Sequence, residues 1–326
     1  MFNYKKMPKV ELHLHLDGSV RPETAAKLLG IDIAEARKNM IADDKCLDLN
    51  DYLTKFFIPG KVMQTKKNLE LISEEIAADL EEDGVIYAEI RFAPLKHIFK
   101  GLSLDEVVES VLKGLAKKSL KTNLILCMMR GDKEEDNIKV VDLAERFLNR
   151  GVVALDLAGA ESIYKTIDYK NLFAYAKGKN IPFTIHAGEA DGKDSMKAAI
   201  DFGAKRLGHG VNAIFYEELL DEIRQKDILL EICPTSNVQT NVINDIKYHP
   251  VRKLYDANIL VSINTDNNTV SNVTLTTEYE KLAQKLNFTY KDFVKMNKDA
   301  IRHDFISEDQ KEQLLQKDDK KLNQLN

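Results

Sequence analysis

The sequence predicts an α/β fold, a (β/α)8 barrel of the TIM type with extra helices after the first strand and at the C-terminus. Strand-length apolar runs alternate with amphipathic helical stretches, and this alternation repeats about eight times. Several of the runs end in histidine, aspartate or glutamate. Because the carboxyl ends of parallel strands meet at one mouth of such a barrel, we expect these distant side chains to come together there.

The strands are expected where Val, Ile, Leu and Phe are concentrated in short runs. Most of the segments between successive runs are long enough to form a helix, which is typical of the repeating strand–helix unit of a parallel sheet. The predicted strands are 9–16, 85–93, 123–130, 152–158, 181–187, 205–209, 227–233 and 258–265.

The helices have their own start and stop signals. Pro22 suits the first position of a helix and Gly30 its end. Ser103 and Glu106 have the spacing of a capping box. Residues 306–326 form a charged helical tail, and we expect 1–326 to be one barrel domain, since barrels of about 250 residues fold as a unit. Helical periodicity is also clear at 69–80, 138–149, 275–286 and 290–301.

About 65 residues separate the first two strands, which is more than one helix needs. Apolar residues cluster there around Pro59-Gly60, including Phe56 and Met63. One interpretation is a helical hairpin with its own small core. The other is an apolar wall or lid over a substrate, with Phe56 in contact with it, because lids are often such insertions.

The composition excludes several classes of protein. The chain has 326 residues, is 44% hydrophobic and 30% charged, and carries a net charge of -5, so nothing indicates a nucleic-acid partner. No run reaches the roughly 18 apolar residues of a membrane span, and the N-terminus lacks the apolar core of a signal peptide. The three cysteines are far apart, which argues against a disulfide framework or a thiolate zinc site. We expect a cytoplasmic protein; the sequence gives no oligomeric state.

His13 and His15 are the first candidates for metal binding. Residues two apart in a strand point to the same face, so one metal can take a nitrogen from each at about 2.0–2.1 Å. An HxH pair alone is a weak signal, because it is more often structural. Its place at the end of the first predicted strand strengthens it.

His186, His209 and Asp266 also close predicted strands, and Glu189 follows His186 by three residues. Each has an ordinary structural interpretation: a capped strand end, a core histidine, a helix N-cap. Together they are hard to explain as core filling, because buried charges need partners and a metal ion supplies one. The remaining histidines are interpreted as structural or solvated: His97, His249 and His303.

These residue types indicate hydrolysis. Zinc held by imidazoles and a carboxylate lowers the pKa of a bound water to about 7. A base must orient that water, and His209 is the candidate. An acid must protonate a ring nitrogen or leaving group, and Glu189 is the candidate, since burial would raise its pKa.

In these motifs the chain resembles the adenosine deaminase family. The resemblance runs along nearly the whole chain, and its motifs stand in the family's order: Pro8 to Ser19, Leu155 to Gly159, His186 to Glu189, Arg206 to Gly210, Cys233 to Asn237 and Asn264 to Asp266. It implies one Zn2+ per chain on a β/α barrel, held by His13, His15, His186 and Asp266. It also implies attack of zinc-bound hydroxide on purine C6, with Glu189 protonating N1, His209 deprotonating the water and Asp266 assisting.

The resemblance implies substrate contacts as well. Gly159 would offer its N–H to purine N3, and Asp17 would accept from the ribose 5′-hydroxyl, with His15 beside it. Asp17 stands where free-base adenine deaminases commonly carry Glu, which favours a nucleoside. Many members have a second Asp after the zinc ligand, but here Asn267 follows; its amide always donates and suits purine N7.

The sequence therefore predicts an adenosine and 2′-deoxyadenosine deaminase of purine salvage. Deamination of adenine or of a modified nucleoside is the near alternative. A two-metal amidohydrolase is disfavoured because residues 156–160 lack the bridging lysine. A binding protein without catalysis is disfavoured because no expected ligand or acid is missing.

Overall fold

The strands of the computed structural model, which describes residues 2–47 and 49–324, lie within the predicted runs or extend them slightly. They are all parallel and form two four-stranded sheets in chain order. Parallel bridges from Leu155 to Phe183 and from Leu14 to Asp266 join these sheets at both edges and close the barrel. The (β/α)8 prediction is confirmed. The strands are β1 (Lys9–His15), β2 (Val85–Phe92), β3 (Lys121–Met129), β4 (Val152–Ala158), β5 (Thr184–Ala187), β6 (Arg206–His209), β7 (Leu229–Ile232) and β8 (Val261–Ile263).

Helices surround the barrel. Over the described residues, none combines the length and the apolar character needed to cross a bilayer. The α-helices are α1 (Pro22–Leu29), α2 (Ile33–Met40), α3 (Leu49–Leu53), α4 (Phe57–Val62), α5 (Lys66–Glu82), α6 (Leu104–Leu115), α7 (Glu134–Phe147), α8 (Lys170–Gly178), α9 (Lys193–Phe202), α10 (Glu217–Gln225), α11 (Pro234–Gln239), α12 (Val251–Asp256), α13 (Leu275–Leu286), α14 (Tyr290–His303) and α15 (Glu308–Asn323).

Where capping signals are explicit, the helices begin as predicted. Pro22 opens α1, Gly30 closes it in a left-handed conformation, and both halves of the Ser103 capping box are present. Helices α5 and α7 begin three or four residues earlier than the hydrophobic pattern indicated. Their first turns are entirely polar, so the period of apolar residues carries no information there.

The strands are buried on both faces, by helices outside and by the barrel interior. This explains why the sequence shows continuous apolar runs rather than alternation. Ionisable residues within the strands must then find partners inside the protein. Histidines aside, the fully buried acidic and basic residues of the strands are Lys9, Glu11, Glu89, Arg91, Asp156, Arg206 and Glu231.

The insertion between β1 and β2 contains the extra helices α1 to α4, as predicted. Met63 is fully buried and joins the main core, whereas Phe57 is 66% exposed. Tyr52 and Phe56 pack with three other side chains in a small separate cluster. Phe56 also lines the central cavity. The insertion thus forms a small cluster that it shares with Val270, after β8, and also forms a wall of the cavity.

The C-terminal residues form α15, whose Leu314 and Leu322 are buried. Leu314 belongs to a buried cluster with Leu12 and Ile125 from the lower part of the barrel. Helix α15 therefore covers the end of the barrel opposite the mouth through its apolar edge, although most of its residues are polar or charged.

Candidate active site

A cavity of about 280 Å³ opens at the carboxyl ends of the strands, a size suited to one small molecule. Every strand, or the loop that follows it, contributes at least one side chain or backbone segment. The insertion adds an apolar side. The lining residues include His15, Asp17, Tyr52, Phe56, Ala93, Lys96, His97, Met129, Gly159, His186, Glu189, His209, Ser236, Thr240, Asp266 and Asn267.

The four predicted metal ligands lie together at the inner end of this cavity. One ligand atom from each of His13, His15, His186 and Asp266 falls within a set whose members are all within 4.8 Å of one another. His15 Nε2 is 3.3 Å from His186 Nε2, and both His13 Nε2 and His15 Nε2 are 3.4 Å from Asp266 Oδ1. Two ligands at about 2.05 Å from a tetrahedral ion stand about 3.3 Å apart, so the spacing fits one zinc-sized ion.

The hydrogen bonding of His13 and the protonation of His15 also fit a metal. Besides the Asp266 carboxylate, His13 Nε2 is buried without a hydrogen-bond partner in residues 2–47 and 49–324. Burial holds the pKa of His15 well below its usual value, so its imidazole is neutral and free to bind an ion. A cation at this point would give His13 Nε2 the partner that it lacks. Without one, burial and Arg91 act to lower the pKa of His13, but the Asp266 and Glu231 carboxylates raise it above its usual value.

Acidic side chains below the cluster hold the histidine rings. His13 Nδ1 lies 2.7 Å from Glu231 Oε2, and His186 Nδ1 lies 2.9 Å from Asp156 Oδ2. Arg91 joins the two carboxylates, at 3.0 Å from Asp156 and 2.7 Å from Glu231. Such partners fix ring orientation and leave the other nitrogen, Nε2, for the metal. No role in the site was predicted from sequence for these three residues, although charged residues inside apolar strands were an available signal.

A second set of possible ligand atoms replaces His15 and His186 with His209 and Cys233. Burial, followed by the nearby Asp266 carboxylate, raises the pKa of the Cys233 thiol well above its ordinary value. A protonated thiol is a poor ligand, because metals bind the thiolate. We therefore favour the set with His15 and His186.

Asp266 and His209 both have left-handed backbones, with φ of 61°. That conformation is uncommon for residues other than glycine and is often found at functional sites. Ser236 Oγ donates to Asp266 Oδ2 at 2.6 Å, and the second oxygen faces the histidines. Burial acts to raise the pKa of Asp266, but the hydrogen bond with His13 and the surrounding imidazoles hold it well below its usual range.

A chain of hydrogen bonds defines the tautomer of His209. The Val251 N–H donates to His249 Nδ1 at 3.1 Å, which leaves the proton of a neutral His249 on Nε2. That nitrogen lies 3.2 Å from Asn237 Oδ1, and Asn237 Nδ2 lies 3.0 Å from His209 Nδ1. The proton of a neutral His209 is then on Nε2, toward the cavity. His249, interpreted from sequence as structural or solvated, is buried in this chain.

Glu189 faces the same space. Its Oε2 lies 3.5 Å from His209 Nε2, and Thr240 Oγ1 lies 3.4 Å from its Oε1. Burial, followed by the Asp266 carboxylate, raises the pKa of Glu189 to about 8. A carboxyl group in this position keeps its proton at neutral pH and can give it to a bound ring nitrogen.

Two polar groups lie on the outer part of the cavity without their full set of partners. Asp17 Oδ1 is buried with no hydrogen bond to the described residues, and burial raises the pKa of Asp17 to about 6. His97 is 1% exposed, and neither ring nitrogen makes a hydrogen bond of normal geometry within the described ranges. Burial lowers its pKa to about 4, against a smaller opposing effect of the Met63 backbone. His97, interpreted from sequence as structural or solvated, lines the cavity.

Gly159 and Asn267 complete the predicted substrate-binding set, and both line the cavity. Asn267 Nδ2 donates to Tyr52 Oη at 3.0 Å, which leaves the second amide hydrogen available. A Cβ at Gly18 would lie 1.7 Å from Asn267 Oδ1, so only glycine lets Asn267 occupy this position. All the predicted site residues thus lie in or against one cavity.

Comparison with known proteins agrees with this geometry. The family model of adenosine deaminase matches residues 8–321. The adenosine deaminase of Enterococcus faecalis is 39% identical over 97% of this chain and 97% of its own. The crystal structure of Arabidopsis N6-mAMP deaminase superposes with a TM-score of 0.87 at 27% identity, over 97% of this chain and 99% of that one. Adenine deaminase from Arthrobacter aurescens has the same fold, with a TM-score of 0.88 at 24% identity over 97% and 99% of the two chains. The chain belongs to the adenosine deaminase family and is a hydrolytic deaminase of the amidohydrolase type.

Proposed function

We propose that this chain deaminates adenosine and 2′-deoxyadenosine at purine C6 with one Zn2+ per chain, as a step of purine salvage. The observation that carries the proposal is the meeting of four metal-ligand atoms, a protonated carboxyl group and a second imidazole in one cavity. The buried free cysteines fit a reducing compartment, and we propose a cytoplasmic location on that basis.

His13, His15, His186 and Asp266 would hold the metal. When bound, zinc supplies a Lewis acid that lowers the pKa of water to about 7 and favours attack on C6. The Nε2–H of His209 donates to the attacking water and orients it. The Asp266 carboxylate takes its proton, since Nε2 of His209 already carries one. This differs from the division expected from sequence, in which His209 removed the proton.

Glu189 gives its proton to purine N1 as the C6–O bond forms, which makes C6 more electrophilic. The C6–N6 bond then breaks, and N6 leaves as ammonia with the proton that Asp266 had taken from the water. The new C6 hydroxyl loses its proton to Glu189 and becomes the carbonyl of inosine. Both acid–base groups return to their starting states, so the cycle balances.

The remaining lining residues would bind the rest of the nucleoside. Gly159 and the free N–H of Asn267 suit the acceptors N3 and N7 of the purine. Asp17 and His97 follow two neighbouring strands, β1 and β2, and both have unused hydrogen-bonding capacity. A sugar carries hydroxyl groups that satisfy both, whereas free adenine leaves them unpaired, at a cost of about 1–3 kcal/mol each.

A nucleotide fits less well than a nucleoside. Lys96 lines the cavity, but its ammonium is paired with the Asp132 carboxylate at 2.8 Å. The nearby Arg130 is engaged by the Tyr164 carbonyl, Thr166 Oγ1 and the His186 carbonyl. A phosphate would need unpaired cations that these contacts do not provide.

Initial rates separate these substrates. Loss of ultraviolet absorbance at matched concentrations of adenosine, 2′-deoxyadenosine, adenine and N6-methyl-AMP should be fast for the first two and slow for the others. Faster turnover of adenine or of the nucleotide would reject the nucleoside assignment and leave the deaminase mechanism in place.

A further inference from the structure

Glu161, in the loop after β4, is 2% exposed and has no role in the chemistry described so far. Its carboxylate accepts hydrogen bonds from four consecutive backbone N–H groups of the loop after β5. Gly188 N–H donates to Oε1 at 2.7 Å, and the next three donate to Oε2: Glu189 at 3.1 Å, Ala190 at 2.8 Å and Asp191 at 3.1 Å. Consecutive N–H groups of this kind form a concave anion site, and here a side chain of the protein occupies it.

The same carboxylate is anchored on its other side. Ser195 Oγ on α9 donates to Glu161 Oε1 at 2.5 Å and lies 2.6 Å from Thr166 Oγ1. Arg130 donates to Thr166 Oγ1 at 2.9 Å and to the His186 carbonyl at 2.6 Å. Glu161 thus connects the loop that carries Glu189 to α9 and, through Thr166, to the end of β3.

Asn212 also holds this loop, since its Nδ2 donates to the carbonyls of Glu189 and Asp191 at 3.0 Å each, whereas Glu161 binds the N–H groups of the loop. Gly188 has φ of +80°, and a Cβ there would lie 2.3 Å from Met196 Sδ, so the turn is open to glycine alone. Among the residues that the structure describes, the Glu189 side chain itself is held only by long contacts, 3.4 Å to Thr240 and 3.5 Å to His209. Its position is therefore set by its backbone rather than by its side-chain partners.

We propose that Glu161 is the positioning residue for Glu189, fixing the backbone from Gly188 to Asp191 so that the acid meets the purine ring. This rests on the proposed function of Glu189. A displacement of about 1 Å at a reacting group can cost about 10²-fold in rate. Loss of Glu161 should therefore reduce kcat much more than it changes KM.

The test compares Glu161→Gln with Glu189→Gln and the double variant on zinc-loaded protein. We expect Glu161→Gln to lower kcat about 10- to 10²-fold with KM little changed. Adding Glu161→Gln to Glu189→Gln should change the residual rate by no more than about twofold, because the residue that it positions is already disabled. Amide hydrogen exchange at residues 188–191 should quicken in Glu161→Gln.

Asp83→Asn is the matched control. Asp83 is also a buried carboxylate that accepts a hydrogen bond from a backbone N–H, that of Thr276, at 3.1 Å, but it lies away from the cavity and outside the ion pairs beneath it. It should lower Tm while leaving kcat and exchange at 188–191 unchanged. If Glu161→Gln is poorly folded, Ser195→Ala removes one anchor of the carboxylate and should show a smaller kcat loss with the same non-additivity.

Unchanged kcat in folded Glu161→Gln, or losses that multiply fully in the double variant, would overturn the inference. That outcome differs from failure of the proposed function. If Glu189→Gln keeps the wild-type rate on adenosine, the acid assignment itself is wrong.

Discussion

The mouth of the barrel and the interior directly beneath it both hold ionisable residues, but the two regions differ in whether those residues have oppositely charged partners. In the interior, each arginine has carboxylates close by: Arg91 lies within 3.0 Å of Asp156 and Glu231, and Arg206 within 2.7 Å of Glu89 and Glu231. At the mouth, Asp17 and His97 form no ion pair, and Asp17 Oδ1 and both ring nitrogens of His97 have no hydrogen-bond partner of normal geometry in the described ranges. The ion pairs of the interior hold neighbouring side chains in position, whereas the polar atoms at the mouth are available to bind a ligand. The two regions should therefore respond differently to substitution.

The largest effect is expected at the mouth. Glu189→Gln removes the transferable proton and should lower kcat about 10²- to 10⁴-fold, the range for a lost general acid. Zinc content measured by mass spectrometry should stay at the wild-type value, because Glu189 is not a ligand. A rate close to wild type would remove Glu189 from the mechanism.

Glu189→Gln should increase folding stability, although it lowers kcat. The folded state raises the pKa of Glu189 to about 8, so it keeps a proton that the unfolded chain releases near the ordinary value. Folding stability is then lost as pH rises from the ordinary pKa toward 8. Glutamine has no such dependence, so the Tm gain of Glu189→Gln should be larger at pH 9 than at pH 5.

A substitution in the interior should instead lower both folding stability and metal affinity. Glu231→Gln removes a carboxylate partner from the buried guanidinium groups of Arg91 and Arg206, which should lower the free energy of unfolding by about 3–5 kcal/mol. It also weakens the contact that orients the His13 ring. Weakened support of a ligand costs about 10- to 100-fold in metal affinity or activity. Chemical denaturation and zinc titration measure both effects.

Glu218→Gln serves as the control for Glu231→Gln, since its salt bridge with Lys193 is on the surface. It should leave both quantities unchanged. If Glu231→Gln binds zinc like wild type, the interior does not orient the metal ligands.

The pH profile sharpens the assignment of the acid. Because burial raises the pKa of Glu189 to about 8, the proton-donating form dominates below that value and declines above it. The rate on adenosine should fall about tenfold per pH unit on the alkaline side of pH 8. Glu189→Gln should lack this limb. A limb that persists in the variant would assign it to another group.

The smallest effect is expected at His97. His97→Phe keeps an aromatic ring but loses one neutral hydrogen bond, so kcat/KM on adenosine should fall about tenfold. The 2′-, 3′- and 5′-deoxy analogues locate the partner: the variant should lose nothing further on the analogue that lacks the bonded hydroxyl. Equal losses on all three analogues would show that His97 does not contact the sugar.

Much of the fold was predictable because strands buried on both faces leave uninterrupted apolar runs. The eight runs found the eight strands, and the capping signals at Ser103 and Gly30 placed helix ends. The starts of α5 and α7 were missed because their first turns are polar. The fold of the insertion was left open, since Phe56 and Met63 have similar sequence environments but Phe56 lines the cavity and Met63 joins the main core.

The site residues also divide into those that could be predicted from the sequence and those that could not. Residues at the ends of strands were found because their position in a barrel implies convergence. Glu161 and His97 were not, because a lone glutamate or histidine in a loop carries no periodic signal. The tautomer of His209 depends on His249 and Asn237, which become neighbours only after folding. Sequence can identify candidate ligands, but which polar atoms remain unpaired is decided by packing.

The most direct test of a single zinc ion between His13, His15, His186 and Asp266 is activation of metal-free protein. Zn2+ would be added stepwise after chelation while the rate of adenosine loss is followed. The rate should rise in proportion to added metal and level off at one equivalent per chain. Full activity without metal, or a break at two equivalents, would contradict the account.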